Sequence, residues 1–406
     1  MRSDRTPSTG IDLGSAEVVA DPYPHFARER AQHPVAWHEP SSMWLTFDHA
    51  HANAVLRDRR LGRIWNDKEP ADRFEPFNLL HRNQMMENEP PDHTRLRRLV
   101  AGAFARGHVE RLRPRVRELA HRLLSEVDPD GFDVVREYAE PLPVLVIAEL
   151  LGVPGELTPR LREWSQAIVR MYEVSHSEQV QDRAITAARD FAAVIRSLAR
   201  ERAERPREDL VSDLVAARDN AGSDPRSRLS EDEVVASAVL LLNAGHEASV
   251  NVFGNGLVAM LRAGIAPADR EVATCVEEML RFDSALQLFE RTATEDVTVG
   301  EVTVRRGEKV AALLGAANRD PAVFAHADSF LPTRDPNPHL AFGAGVHFCL
   351  GAPLARMELV ESLGHLLRSM PGLALAAQPV SRGTFVLRGY ESVRVTALGG
   401  DRVAAS

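Results

Sequence analysis

Cysteine is almost missing from this chain: only Cys275 and Cys349 occur among 406 residues, far apart in sequence. Two such residues do not make the disulfide framework of a small secreted scaffold, and they suit a reducing compartment. Lysine is as scarce, with Lys68 and Lys309 the only examples, so arginine supplies nearly all positive side chains, a bias of genomic composition. A surplus of positive charge is also absent. The formal net charge of −9 argues against nucleic acid as the main partner, because phosphate binding needs excess basic groups. Long uninterrupted apolar runs are missing as well. The greasiest stretch, "EVVASAVLLLNAGHEASVNVFGNGLVAML", is broken by Asn243, His246, Glu247 and Asn251, and the start, "MRSDRTPSTGIDLG", is polar. No membrane anchor or signal peptide is expected, and a cytoplasmic location is. No GxGxxG follows a strand, so the chain should hold no flavin or nicotinamide of its own.

What is present reads as a helical protein. Helical periodicity dominates from about residue 92 to 281, while short strand-like pieces sit near the two ends. "PVAWHE" and "MWLTF", joined by "PSS", predict a hairpin. "DHTRLRRLVAGAF" predicts a helix with Asp92 as its N-cap, and long amphipathic helices are expected over 109–127 and 178–202. "RDNAGSDPRSRLSED" reads as a loop. Ser230 and Glu233 have capping-box spacing at the start of a long apolar helix. "VATCVEEMLRF" predicts another helix, and "RTATEDVTVGEVTVRRGEKVAALL" predicts short strands turning at Gly300 and Gly307. "RDPAVFAHADSFLPTRDPNPH" should be an ordered irregular loop.

One segment stands out chemically. In "HLAFGAGVHFCLGAPLARME", residues 339–358, a lone cysteine follows spaced glycines and precedes an apolar helix. Glycines let backbone N–H groups turn toward a sulfur, and a helix N-terminus favours negative charge there. Composition alone leaves other readings open: a buried inert thiol, a zinc ligand without nearby CxxC or HxxxH partners, or a nucleophile paired with His347 but lacking a third orienting group.

"FGAGVHFCLG" resembles the FGxGxHxCxG haem-ligand loop of the cytochrome P450 family, specifically its soluble, actinomycete-like bacterial members. "PPDHTRLR", "AGHEA", "EEMLR", "ANRDP" and "RDPNPHLAFG" match further family segments in the family's order. The resemblance covers roughly the whole chain. It implies a mostly α fold with small β-sheets, a single domain over 1–406 in which residues 1–20 form a flexible N-terminal segment. It overrides the prior from length, which would suggest two or three domains.

By the resemblance, Cys349 is the axial ligand of haem b iron, its thiolate favouring O–O cleavage. Phe342 shields the sulfur, and Gly343, Gly345 and Gly351 allow close backbone approach. His93, Arg97, Arg291 and His347 fall on family positions for the haem propionates. Glu278 and Arg281, three residues apart on one helical face, form a structural ion-pair network with Arg334. Dioxygen is the co-substrate, and NAD(P)H acts only through redox partners, a ferredoxin and a ferredoxin reductase. The arginines of "FARGHVERLRPRVRELAHR", with Arg98 and Arg356, are candidates for steering an acidic ferredoxin.

Ala244, Glu247 and Ala248 share one face of the long apolar helix, with Gly245 costing it about 1 kcal/mol relative to alanine. In the family this site holds dioxygen, and an acid followed by threonine delivers protons. Glu247 matches the acid, but position 248 is alanine, and Ser249 is turned about 100° around the helix. A substrate hydroxyl with ordered water is the expected substitute. Leu240, Asn243, Ala248, Leu288 and Phe289 are candidates for the substrate pocket, with residues 63–77 as a lid. The connection "MLRAGIAPADREVATCVEEML" is short for the family, so one helix there should be truncated. The expected activity is monooxygenation of a hydrophobic small molecule of bacterial secondary metabolism, such as polyketide-like hydroxylation. The alternatives are oxidative coupling or cyclisation, or a non-catalytic module that recruits oxygenases to a carrier-bound substrate.

Overall fold

The structure is a computed structural model describing residues 6–104, 106–128, 130–173, 176–219 and 228–397. The chain folds into two compact units: Met1–Gly62, Arg113–Leu142 and Ala248–Ser406 form one, and Arg63–Leu112 with Pro143–Glu247 form the other. Each is assembled from separated stretches of chain, so neither is a contiguous sequence domain. No helix among the described residues is long and apolar enough to cross a membrane.

The first unit is built on a six-stranded mixed sheet. Its strand order is Ser8–Thr9, Val35–His38, Met43–Thr46, Lys309–Leu313, Leu288–Ala293 and Leu61–Gly62. The expected hairpin is there: Val35–His38 and Met43–Thr46 pair antiparallel, with Trp37 opposite Trp44. One sheet face buries Val35, Trp44, Val310 and Ala312 with Val55, Leu56 and Leu340, and the other buries Ala36, Leu45, Ala311 and Leu313 with Phe26 and Phe47. Strand alternation thus feeds two cores. Gly300 and Gly307 take positive φ, 59° and 83°, at the expected turns.

The N-terminal segment departs from expectation. Ser8–Thr9 pairs in parallel with Trp37 and His38, Ala16–Ala20 is a helix capped by Ser15, and Ile11, Leu13 and Val18 are buried. Alternating apolar residues in a polar stretch provide the anchorage, so the described part of 1–20 is tied down.

The second unit is helical. Glu178–Glu204 runs along Ala71–Arg82, Thr158–Val169 and Leu210–Asp219, burying Ala184, Ala187, Ala188, Phe191, Ile195 and Leu198 on one stripe. Asp92–Val100 begins one residue earlier than a capping Asp92 allows: Pro91 is the N-cap and Asp92 is the first helical residue. Proline preset for a helical start explains the shift.

The long helix spans Glu231–Arg262 without interruption, and its capping box forms: the Glu233 N–H donates to Ser230 Oγ (3.1 Å) and the Ser230 N–H to Glu233 Oε2 (2.7 Å). Nine residues, 263–271, separate its end from the Val272–Phe282 helix, and their only helical piece is the 3₁₀ turn Asp269–Glu271, in line with the short connection. Most of the acidic loop expected before it, residues 220–227, lies outside the described residues.

Candidate functional site

The cysteine loop is held at both ends. Gly343 and Gly345 have φ of 68° and 71°, the left-handed region that suits glycine, and a Cβ on Gly345 would lie 2.4 Å from the Leu56 carbonyl oxygen. The loop therefore lies flat against backbone. Gly351 takes an ordinary φ of −80° and is the N-cap of the Ala352–Ser369 helix. Cys349 sits just ahead of that helix, half-buried, its N–H donating to the Phe342 carbonyl oxygen (2.9 Å). A thiolate here meets the positive end of an eighteen-residue helix.

Two adjacent glutamates on Val272–Phe282 fix this loop and the meander before it. Glu278 and Arg281 are fully buried, with Arg281 Nε and Nη2 donating to the two carboxylate oxygens at 2.8 and 2.7 Å. Arg334 Nε joins at 3.0 and 3.2 Å, and the Leu331 N–H at 2.8 Å. The three residues expected to form a network are together.

Glu277 was not among the candidates, though it stands beside Glu278 in "EEML". Its carboxylate accepts from His339 Nε2 (2.9 Å), just before the loop, and from Arg356 Nε and Nη2 (2.7 and 2.9 Å), just after it. Burial would raise this carboxyl, but those hydrogen bonds and the charges of Arg356 and His339 hold it down at about 2. Arg356 also lies over the Phe342 ring, 4.5 Å from its centroid. It is a brace for the loop more than a free docking charge. Arg113 and Arg117 are likewise engaged, both by Glu361, and Arg115 pairs with Glu118. Arg98 is exposed.

Arg291, on the Leu288–Ala293 strand, is 2% exposed, and its Nη1 donates to the Glu290 carbonyl oxygen at 2.9 Å. It is no surface arginine. Leu288 and Phe289, on the same strand, are half-buried, and the Phe289 ring packs near Gly343. His347 is half-buried on the 3₁₀ turn Gly345–His347.

In the second unit, His93 and Arg97 share a face of Asp92–Val100, His93 buried and Arg97 half-buried. Leu240, Asn243 and Glu247 are buried on the long helix, yet Ala244 among them is exposed. A methyl-sized side chain thus leaves a patch of open helix surface. Gly245 does not interrupt the helix: a Cβ there would come within 3.1 Å of Ile147, so the glycine permits close helix packing. Ala248 and Ser249 are half-buried.

The segment expected as a lid, residues 63–77, makes tertiary contacts. Ala71–Arg82 is a helix with Phe74 and Phe77 buried, Lys68 and Asn78 exchange hydrogen bonds (2.9 and 3.0 Å), and Trp65 stacks on His81 at 4.6 Å. A cleft of about 530 Å³ beside it is lined by Arg63, Trp65, Arg82, Glu87 and Glu89.

The donor set can be tested against candidate cofactors. Among the described residues no group of three or more His, Cys, Asp or Glu could hold a metal ion, so zinc has no cage here. Within the first unit, a single thiol on a backbone-flattened loop and a buried arginine, Arg291, fit a group that takes one sulfur ligand and carries an acidic edge.

Comparisons agree with this fit. The sequence model of the cytochrome P450 family matches residues 272–370. The chain is 38% identical over 397 residues to the vitamin D(3) 25-hydroxylase of Pseudonocardia autotrophica, covering 95% of this chain and 96% of that protein. It is 36% identical to the 6-deoxyerythronolide B hydroxylase of Saccharopolyspora erythraea, covering 96% and 99%. The crystal structure of P450BioI, in complex with an acyl carrier protein ligated to hexadec-9Z-enoic acid, superposes with a TM-score of 0.88 at 33% identity, covering 94% and 100%.

Proposed function

This chain belongs to the cytochrome P450 family and is a monooxygenase, an oxidoreductase using dioxygen and externally supplied electrons; we propose that it oxygenates a hydrophobic small molecule of bacterial secondary metabolism. The observation that carries the reading is Cys349, half-buried on a loop flattened by Gly343 and Gly345 and braced by Glu277. Haem, when bound, supplies the iron at which dioxygen is activated.

Cys349 is the residue that would hold that iron, through its thiolate, with Phe342 as the ring that would shield the sulfur. His93, Arg97, Arg291 and His347 are assigned to the propionates, where cationic or N–H donors offset two carboxylates. Ala244 and Gly343 are assigned to the same group as small residues that would not obstruct it. Glu278, Arg281 and Arg334 hold the architecture under it. Electrons are assigned to a ferredoxin and its reductase, with NAD(P)H spent on the reductase.

Glu247 is the acid assigned to proton delivery. Ala248 brings no hydroxyl, and general acid–base help is typically worth about 10² to 10⁴ in rate. We assign the missing hop to a substrate hydroxyl and water, so the substrate is an oxygenated compound. Leu240, Asn243, Ala248, Leu288 and Phe289 are the assigned lining. The same alanine favours a second reading, oxidative coupling or ring closure, which leans less on the relay.

Three measurements test these assignments. The reduced, carbon-monoxide-bound protein should show the red-shifted Soret band of a thiolate ligand, and Cys349→Ser should abolish it. Pathway-like compounds should be screened by their spin shift. Product per reducing equivalent should respond to Ala248→Thr and to removal of the substrate hydroxyl; indifference to both refutes substrate assistance.

A further inference from the structure

The long helix carries a polar stripe that the reaction reading uses only at Asn243 and Glu247. Asn243, Glu247, Asn251 and Asn255 follow at four-residue intervals, so they lie along one helical face. All are buried, Asn251 and Asn255 to 1% exposure. Asn255 Nδ2 donates to the carbonyl oxygens of Asp283 and Arg388, 3.1 Å each. Its Oδ1 has no partner among the described residues, and neither end of the Asn251 amide has one. Buried amides are seldom left unmatched, and ordered water is the usual partner when protein is not.

The stripe leads outward. The Asp283 carboxylate accepts from the Tyr23 hydroxyl and from Arg388 Nε, both at 2.7 Å, and Tyr23 and Arg388 are only half-buried. Gly389 seats the inner end, because a Cβ there would stand 2.2 Å from Asn251 Oδ1. Side chains four residues apart on a helix are about 5 to 6 Å apart at Cβ, a span that one water making two hydrogen bonds can bridge.

We propose that Asn251 and Asn255 order a short column of water along this face, carrying protons from the end of the stripe beside Asp283 toward Glu247. The proposal rests on the reading of Glu247 as the site's acid. Amides do not hand on protons themselves, so Asn251 and Asn255 are positioning residues. The column replenishes the acid in a chain whose position 248 has no hydroxyl to help.

The test uses the haem-loaded full chain with an acidic [2Fe–2S] ferredoxin, its reductase and no organic substrate. Dioxygen then goes either to peroxide, with two electrons and two protons, or to water, with four of each. A high-resolution crystal structure should show water oxygens about 2.7 to 3.2 Å from the Asn251 amide. Asn251→Leu should keep the thiolate-type Soret band, cut the water-to-peroxide ratio by roughly tenfold, below the ~10² cost of deleting a proton-transferring group itself, and change the solvent deuterium isotope effect. Asn251→Asp should restore most of the ratio. If Asn251→Leu fails to take up haem, Asn251→Ser carries the same readouts. A dry amide, or an unchanged ratio and isotope effect in a variant that melts higher, overturns the column and leaves the P450 reading intact. Absence of the thiolate band in the unaltered protein would instead overturn that reading.

Discussion

Replacing Arg281 by lysine keeps the charge and should still cost most of the protein's margin of stability. A guanidinium has five N–H donors in a rigid fork. Arg281 makes five hydrogen bonds: Nε and Nη2 to the two oxygens of Glu278, Nη1 to the carbonyls of Asn318 (2.8 Å) and Ala327 (2.9 Å), and Nη2 to that of Ser329 (3.1 Å). Every donor is matched, in a residue with no exposed surface. Lysine offers three donors from a single point, so at least two of the five hydrogen bonds are lost. Each hydrogen bond to a charged group is worth roughly 1.5 to 3 kcal/mol, so the expected loss is about 3 to 6 kcal/mol. Removing one partner of a buried pair outright, as in Arg281→Ala, typically costs about 3 to 5 kcal/mol, so lysine should be nearly as damaging as alanine. Against a typical stability of about 5 to 15 kcal/mol, either variant sits near the folding threshold. Urea unfolding followed by circular dichroism, with haem content per polypeptide from absorbance, measures it. A lysine variant within about 1 kcal/mol of the unaltered protein, with full haem content, would refute the donor count.

Glu277→Gln should loosen the loop from both sides, since it neutralises the carboxylate that holds His339 and Arg356; a loss of roughly 1.5 to 3 kcal/mol and faster haem transfer to apomyoglobin are expected. Gly345→Ala should forfeit haem retention, because φ of 71° and the Leu56 carbonyl leave no space for a methyl group; haem content and thermal midpoint report it. Glu358 is 4% exposed, and burial pushes its carboxyl up to about 8 from 4.5. The folded protein therefore binds this proton more tightly than the unfolded chain, so the contribution is fully present below about pH 4.5 and lost as pH rises through 8. Glu358→Gln should remove that decline, on the order of 4 kcal/mol across the window, and melt higher than the unaltered protein at pH 8.

Elements with strong local signals were legible from the chain, and long-range tethers were not. The hairpin, the capping box at Ser230 and the helix carrying Glu278 and Arg281 each follow from spacing within a few residues. The N-terminal anchorage was invisible for the opposite reason. Ile11, Leu13 and Val18 are few and spread among polar residues, and what orders them is a parallel pairing with Trp37 and packing against Phe26 and Phe47. The contacts of residues 63–77 were invisible in the same way, because the Trp65–His81 stack and the Lys68–Asn78 exchange are tertiary facts. Glu277 had a signal, its place next to Glu278, but nothing in one helix indicates that His339 and Arg356 come to the same carboxylate.

The two cysteines show what the surroundings add to residue type. Cys275 has no exposed surface, its Sγ lies 4.0 Å from Met260 Sδ, and burial, reinforced by the charges of Glu278 and Glu271, pushes its thiol up to about 12. A thiol in that state neither ligates nor reacts at neutral pH. Cys349 is only half-buried and stands where a helix begins, on a loop that glycines press against backbone. Composition could not tell them apart, and on base rates favoured an inert thiol for each. The difference lies in the residues around the loop: Glu277, engaging the chain on both sides of Cys349, and Gly345, where no side chain fits. What sets Cys349 apart is a backbone that has nowhere else to go.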